Sequence, residues 1–292
     1  MKITGATKTS GIFGHPIGHT LSPVMQNAAF EAAGCDIVYL PFHVSPARLP
    51  GAVDAVRALE MVGVNVTIPH KERVMGYLDS VDPTARAIGA VNTVVNSDGR
   101  LTGYNTDGEG YMRSLTGETG FVPEGKSVIL IGAGGAARAI LHALLSGGAA
   151  SVLIANRTVK RAEDLACDFG GVFEAREVGV SALDAAELAR RVEGADLVVN
   201  TTSLGMEGSP VLDFPVEALP TGAVVSDIVY RPGDTELLKR ASERGLAVHR
   251  GIGMLVCQGA LGFELWTGLT APVDVMTRAV MDELSAGPSE GE

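Results

Sequence analysis

Short apolar runs closed by Gly, Pro or Asp alternate with longer stretches of helical period along almost the whole chain. The runs read as strands; apolar positions three and four apart read as one face of a helix. Residues 11–14 make the first run. Ser22-Pro23 opens a predicted helix to about Ala33, with Ser22 as N-cap and Pro23 at the first helical position, where a missing N–H costs nothing. Ile37–Val44 predicts a strand, Pro46–Leu59 a helix, and Val62–Thr67 a strand that stops before Pro69. Val91–Asn96 and Leu101–Tyr104 predict a hairpin turning on Ser97-Asp98-Gly99. A helix starts near Thr106. Beyond the Gly-, Thr- and Glu-rich stretch 117–126, strands are predicted at Val128–Ile131, Val152–Asn156, Leu197–Asn200 and Ala223–Asp227, with a helix over Ala136–Leu145. The tail from Gly253 to about Ser285 reads as helical.

This alternation predicts an α/β fold built from βαβ units with parallel sheets. A length of 292 residues fits two domains. The expected layout is an N-terminal open α/β domain over residues 1–108, a Rossmann-type domain over 109–251, and C-terminal helices (252–292) that return to complete the first.

Composition narrows the partners. Lys and Arg total 23 against 34 Asp and Glu, a net charge of -11, which argues against nucleic acid as a partner. A small anion remains compatible, because a pocket can be locally basic. Cys35, Cys167 and Cys257 are far apart, odd in number and form no CxxC, as expected of free thiols in a reducing compartment. No stretch approaches the roughly 20 apolar residues of a membrane span. The expected location is the cytoplasm, with no membrane partner; a homodimer is expected without any residue singled out to carry it.

The most specific local signal is Gly132-Ala133-Gly134-Gly135-Ala136-Ala137, directly after the run 128–131 and directly before a helix. This is the G-x-G-x-x-G/A fingerprint in its required setting of strand, turn and helix start. Gly132 allows the tight turn, Gly134 the approach of a pyrophosphate, and the small Ala137 close packing of helix on strand. The helix N-terminus offers N–H groups and positive potential to phosphates. An NAD site usually carries Asp or Glu about 20 residues on, to accept from the ribose 2′-OH. Here the next strand ends in Asn156-Arg157-Thr158, followed by Lys160 and Arg161. Cations and a hydroxyl suit a 2′-phosphate, so NADP is the expected cofactor. The Gly- and Pro-containing segment Thr202–Pro210 is a candidate cover for it.

Three polar clusters lie at the ends of first-domain strands, where open α/β sheets bind ligands. In His15-Pro16-Ile17-Gly18-His19-Thr20-Leu21-Ser22-Pro23, the Thr20 and Ser22 hydroxyls and the helix start can hold a carboxylate; a plain N-cap is the competing role for Ser22. Pro16 and Gly18 break any helix that would align His15 with His19, and no metal is expected. Asn65-Val66-Thr67-Ile68-Pro69-His70-Lys71 offers Lys71 as proton donor or oxyanion stabiliser, or as an ordinary solvated lysine. Ala90-Val91-Asn92-Thr93 and Gly103-Tyr104-Asn105-Thr106-Asp107-Gly108 offer Asp107, either as an ionic partner for Lys71 or as a helix cap. One Lys, one Asp, amides and hydroxyls with almost no aromatics suit a small hydroxylated anion.

These motifs, in this order and followed by Gly251-Ile252-Gly253-Met254-Leu255-Val256-Cys257-Gln258, resemble the shikimate dehydrogenase family over nearly the whole chain. The resemblance implies reversible NADPH-dependent reduction of 3-dehydroshikimate to shikimate, in aromatic amino-acid and chorismate biosynthesis. It implies Lys71 and Asp107 as the catalytic pair and Thr20 and Ser22 at the substrate carboxylate. Asn65, Thr67, Asn92, Asp107 and Gln258 are implied at the substrate hydroxyls. Gly132, Ala133, Gly134, Gly135 and Ala136 are implied at the pyrophosphate, and Asn156, Arg157, Thr158 and Arg161 at the adenosine end. Tyr230, Gly251 and Met254 fall where the family approaches nicotinamide or substrate. Thr20 departs from the family's usual serine, which leaves open a quinate/shikimate dehydrogenase using NAD. A non-catalytic NADP-binding sensor is the reading from another class; it would not need Lys71 and Asp107.

Overall fold

The computed structural model of the chain describes residues 2–173 and 176–286. It divides into two compact units, one running to Gly110 and resuming at Leu255, the other Tyr111–Met254.

In the first unit the elements are β1 (Lys8–Gly14), α1 (Ser22–Ala32), β2 (Ile37–His43), α2 (Leu49–Ala58), β3 (Gly63–Val66), β4 (Ser80–Val81), α3 (Pro83–Ile88), β5 (Thr93–Ser97), β6 (Arg100–Tyr104) and the start of α4 (Asp107–Thr119). Its six-stranded sheet has the order β2-β1-β3-β5-β6-β4. β2, β1 and β3 are parallel, joined through α1 and α2, whereas β5 runs antiparallel to both β3 and β6. The sheet is therefore mixed rather than purely parallel. The hairpin is the reason: Asp98 and Gly99 both take positive φ (51° and 87°), as a two-residue type I′ turn requires. Phe13, Leu49, Val53, Val56, Val64, Val66 and Leu101 form its core.

Two differences from the pattern have simple causes. β1 begins three residues early, because backbone pairing with Ile37–Tyr39 recruits the polar Lys8–Ser10. β4 and α3 carry no hydrophobic period, β4 having only two residues; α3 is set by Asp82, whose Oδ1 accepts the Thr84 and Ala85 N–H groups at 2.9 and 3.4 Å.

The second unit contains β7 (Ser127–Ile131), α5 (Gly135–Ser146), β8 (Ser151–Asn156), α6 (Val159–Gly170), β9 (Glu177–Ala182), α7 (Ala185–Ala189), β10 (Leu197–Asn200), β11 (Val224–Asp227), α8 (Glu236–Glu243) and β12 (Ala247–Arg250). Its six strands are all parallel in the order β12-β11-β10-β7-β8-β9. The chain enters in the middle at β7, winds outward through β8 and β9, then returns to β10 and winds the other way. That places the switch point between β7 and β10, where doubly wound sheets take their ligands. β10 is buried at all four residues, which explains a continuous apolar run without alternation.

The helical tail is two helices, α9 (Gly251–Thr267) and α10 (Val273–Ala286), interrupted over 268–272 by Gly268 and Pro272. α10 packs on α1 of the first unit.

Candidate active site

Lys71 lies just beyond β3 and Asp107 is the first residue of α4, 36 positions later. The Lys71 Nζ donates to Asp107 Oδ2 at 2.5 Å. Their side chains are only 13% and 4% exposed, so this is not a solvated surface pair. The other carboxylate oxygen, Oδ1, accepts from Asn92 Nδ2 at 2.8 Å. Asn92 is itself locked: its Oδ1 accepts the Thr106 N–H at 2.8 Å, and its Nδ2 also reaches Thr106 Oγ1 at 2.9 Å. The carboxylate thus faces a cation on one side and an amide on the other, an arrangement that holds the lysine in place. Gln258, on α9, brings Oε1 to 3.4 Å from Asn92 Nδ2 and donates Nε2 to the Leu255 carbonyl at 2.7 Å.

At the other strand ends, α1 starts one residue earlier than expected: Leu21 is its N-cap and no side chain caps it. Ser22 is therefore not the cap. It is buried, its N–H donates to Thr20 Oγ1 at 3.3 Å, and its Oγ accepts from Thr20 Oγ1 at 3.2 Å. Asn65, on β3, is buried and anchored by protein partners: Nδ2 donates to Thr93 Oγ1 and the Asn92 carbonyl at 3.0 and 3.2 Å, and Oδ1 accepts from Tyr39. Thr67 is half-buried beside Gly14, with its N–H on the Phe13 carbonyl at 2.9 Å. Tyr39 carries no site signal in the sequence, because it lies within an apolar strand.

His15 and His43 approach each other, Nδ1 to Nε2 at 2.7 Å. Among the described residues no group of three or more His, Cys, Asp or Glu side chains is arranged to hold a metal.

In the second unit, Gly132 follows β7 at φ 112°, and a Cβ there would collide with the Thr201 hydroxyl. Only glycine fits the turn at that point. α5 starts at Gly135 with no side-chain cap, while Ala133–Ala136 are half-buried and Ala137 is fully buried. A helix start with uncapped, accessible N–H groups is the donor set a pyrophosphate needs, so these residues fit a dinucleotide. At the end of β8, Asn156 Nδ2 closes onto the Thr158 carbonyl at 2.9 Å. Arg157 and Thr158 are exposed, as is Arg161 on α6, whereas Lys160 is drawn into an ion pair with Asp164 at 2.7 Å. Arg157 and Arg161 are therefore the two arginines near this strand end that stand exposed.

Asp227 ends β11 and is completely buried. It accepts from Asn200 Nδ2 (3.0 Å), the Val229 N–H (3.0 Å) and Thr235 Oγ1 (2.7 Å). Asn200 Oδ1 in turn accepts the Thr202 N–H and hydroxyl at 3.1 and 2.7 Å. One carboxylate therefore ties the 202–205 segment, the loop bearing half-buried Tyr230, and the N-cap of α8. Burial pushes its carboxyl up to about 6, against the pull of those three donors. Gly251 packs where a Cβ would strike the Ile228 and Val229 carbonyls, and Met254 belongs to the hydrophobic core of this unit. Asp227 carries no site signal in the sequence, because it is a strand-end residue whose partners lie in three segments.

The chain matches three family descriptions: "Shikimate dehydrogenase substrate binding domain" over residues 12–94, "Shikimate / quinate 5-dehydrogenase" over 119–206, and "Shikimate 5'-dehydrogenase C-terminal domain" over 251–281. It is 47% identical to a shikimate dehydrogenase (NADP(+)) of Desulforamulus reducens, covering 98% of this chain and 99% of that protein. Among solved structures, a shikimate dehydrogenase in complex with NADP+ superposes with a TM-score of 0.88 at 40% identity, covering 97% and 98% of the two chains. A quinate dehydrogenase from Corynebacterium glutamicum in complex with NAD gives 0.86 at 33% identity, covering 94% and 99%.

Proposed function

The chain belongs to the shikimate dehydrogenase family, and from that premise we propose that it interconverts 3-dehydroshikimate and shikimate with NADP(H), using Lys71 and Asp107 as its catalytic pair. The observation that carries this reading is the buried Lys71–Asp107 contact, backed by Asn92 on the opposite carboxylate oxygen. NADPH, when bound, supplies the hydride that adds to the substrate carbonyl carbon. As charge grows on the carbonyl oxygen, Lys71 stabilises it and donates the proton that completes the alcohol. Asp107 keeps the ammonium in position, and Asn92 keeps Asp107 in position. The Thr20 and Ser22 hydroxyls hold the substrate carboxylate; Asn65, Thr67, Asn92, Asp107 and Gln258 define its hydroxyl-facing surroundings.

On the cofactor side, residues 132–136 take the pyrophosphate on the start of α5. Asn156, Arg157, Thr158 and Arg161 take the adenosine end. Tyr230, Gly251 and Met254 serve the nicotinamide or substrate end. A cytoplasmic location fits this chemistry, and no helix among the described residues is long and apolar enough to cross a membrane.

Thr20 keeps a hydroxyl but adds a methyl, and the likeness to a quinate dehydrogenase makes substrate breadth the point to test. Steady-state rates with shikimate and quinate, each against NADP+ and NAD+, decide it. Shikimate with NADP+ is expected to have the highest kcat/KM. A higher kcat/KM for quinate with NAD+ would replace this reading.

A further inference from the structure

Tyr39 has no exposed surface, yet its hydroxyl is not idle. It donates to Asn65 Oδ1 at 2.7 Å. From there the bonds run on in one direction: Asn65 Nδ2 to Thr93 Oγ1 at 3.0 Å, Thr93 Oγ1 to Asn92 Oδ1 at 3.1 Å, and Asn92 Nδ2 to Asp107 Oδ1 at 2.8 Å. The chain ends where Lys71 meets Asp107. Tyr39 thus stands at the head of the amide series that leads to the ion pair. Every link lies in the first unit.

An amide has two faces that differ only in which end donates. The Asn92 carbonyl, which can only accept, settles that choice for Asn65 by taking Nδ2 at 3.2 Å, and it leaves Oδ1 for the Tyr39 O–H to satisfy. Asn65 Nδ2 also donates to Thr93 Oγ1, which turns the Thr93 hydroxyl toward Asn92, while the Asn92 amide is fixed separately by the Thr106 N–H on its Oδ1. Reversing the Asn65 amide would set an oxygen against the Asn92 carbonyl, so the buried Oδ1 stays where only the phenol O–H meets it. Trp266 packs beside the Tyr39 ring, with centroids 6.0 Å apart, and restricts its tilt.

We propose that Tyr39 is a positioning residue for substrate, holding the buried Asn65 amide in the place from which it meets the hydroxyls of shikimate. This rests on the proposed reaction. It predicts an effect confined to the substrate side, since the hydrogen-bond and ring partners of Tyr39 among the described residues lie in the first unit.

The test is Tyr39→Phe, which keeps the ring and removes only the hydroxyl. Losing one bond to a buried acceptor is expected to raise the shikimate KM roughly tenfold. kcat and the KM for NADP+ should stay within about twofold. Calorimetry of shikimate binding, with no turnover involved, should show the same weakening. A shikimate KM and binding constant unchanged within about twofold would overturn the proposal. So would a fall in kcat with both KM values rising together, or a variant too unstable to bind NADP+, because either would make the phenol a general structural support. If the wild-type protein neither binds nor oxidises shikimate, the reading of the reaction fails; normal wild-type activity with an unaffected Tyr39→Phe variant removes only the role of Tyr39.

Discussion

At the scale of single residues, the informative groups are those whose charge or donor count leaves little choice of partner. Arg157 and Arg161 stand exposed at the end of β8, while their neighbour Lys160 is held by Asp164. An arginine–phosphate contact is charge-assisted and worth about 1.5–3 kcal/mol. Arg157→Gln is therefore expected to raise the KM for NADP+ roughly 10- to 100-fold and leave the KM for NAD+ nearly unchanged. Equal changes for both cofactors in steady-state assays would remove Arg157 from the 2′-phosphate site. The role proposed for these cations could be read from the sequence because it depends on local order: a strand end about 20 residues after a glycine turn. Tyr39 was not legible. Its partners Asn65 and Trp266 are distant in sequence, and an aromatic inside Ile37–His43 reads only as a strand residue with a β-propensity.

At the scale of elements, adjacent strands β11 and β12 carry two buried titratable groups with opposite pH behaviour. Asp227 has its carboxyl pushed up to about 6 from an ordinary 3.8. Its contribution to stability is therefore fully present below about 4 and lost as pH rises through about 6. His249, on β12, exchanges hydrogen bonds with Ser114 and Ser226 at 2.7 and 2.8 Å, and burial lowers it to about 4 from 6.5. Its contribution is present above about 6.5 and lost as pH falls through about 4. Each displacement is worth about 3 kcal/mol, so between pH 6.5 and 4 the two largely cancel. Urea unfolding across that range should separate them. Relative to wild type, Asp227→Asn should lose about 2–3 kcal/mol as pH falls, and His249→Gln should gain a similar amount. Slopes that match the wild type in both variants would show that neither group titrates in this window. The strand carrying Asp227 was foreseen from its apolar run, and β12 was not: Ala247-Val248-His249-Arg250 is short, polar at its end, and held by parallel pairing to β11. Helices α6, α7 and α8 escaped for a related reason, since their buried faces are only three, one and three residues wide.

At the scale of the whole molecule, the strand–turn–helix logic of both units was readable, because glycine turns, proline stops and strand-end polar clusters are local signals. The mixed character of the first sheet followed from a hairpin that was itself predicted, yet the antiparallel pairing of β5 with β3 needs the tertiary fold to be seen. What the two units supply is complementary: an uncapped helix start in one, and in the other a buried cation held by a carboxylate that Asn92 braces from its far oxygen. The central claim is that Lys71 performs the proton chemistry. Lys71→Ala leaves Asp107 buried with Asn92 as its remaining partner, so some loss of stability is expected, and NADP+ binding serves to confirm the fold. The decisive measurement is single-turnover oxidation of shikimate by that variant beside its calorimetric affinity for shikimate. The expected result is a rate lower by about 10²–10⁴-fold with affinity changed far less. A rate within a few-fold of wild type would contradict the account.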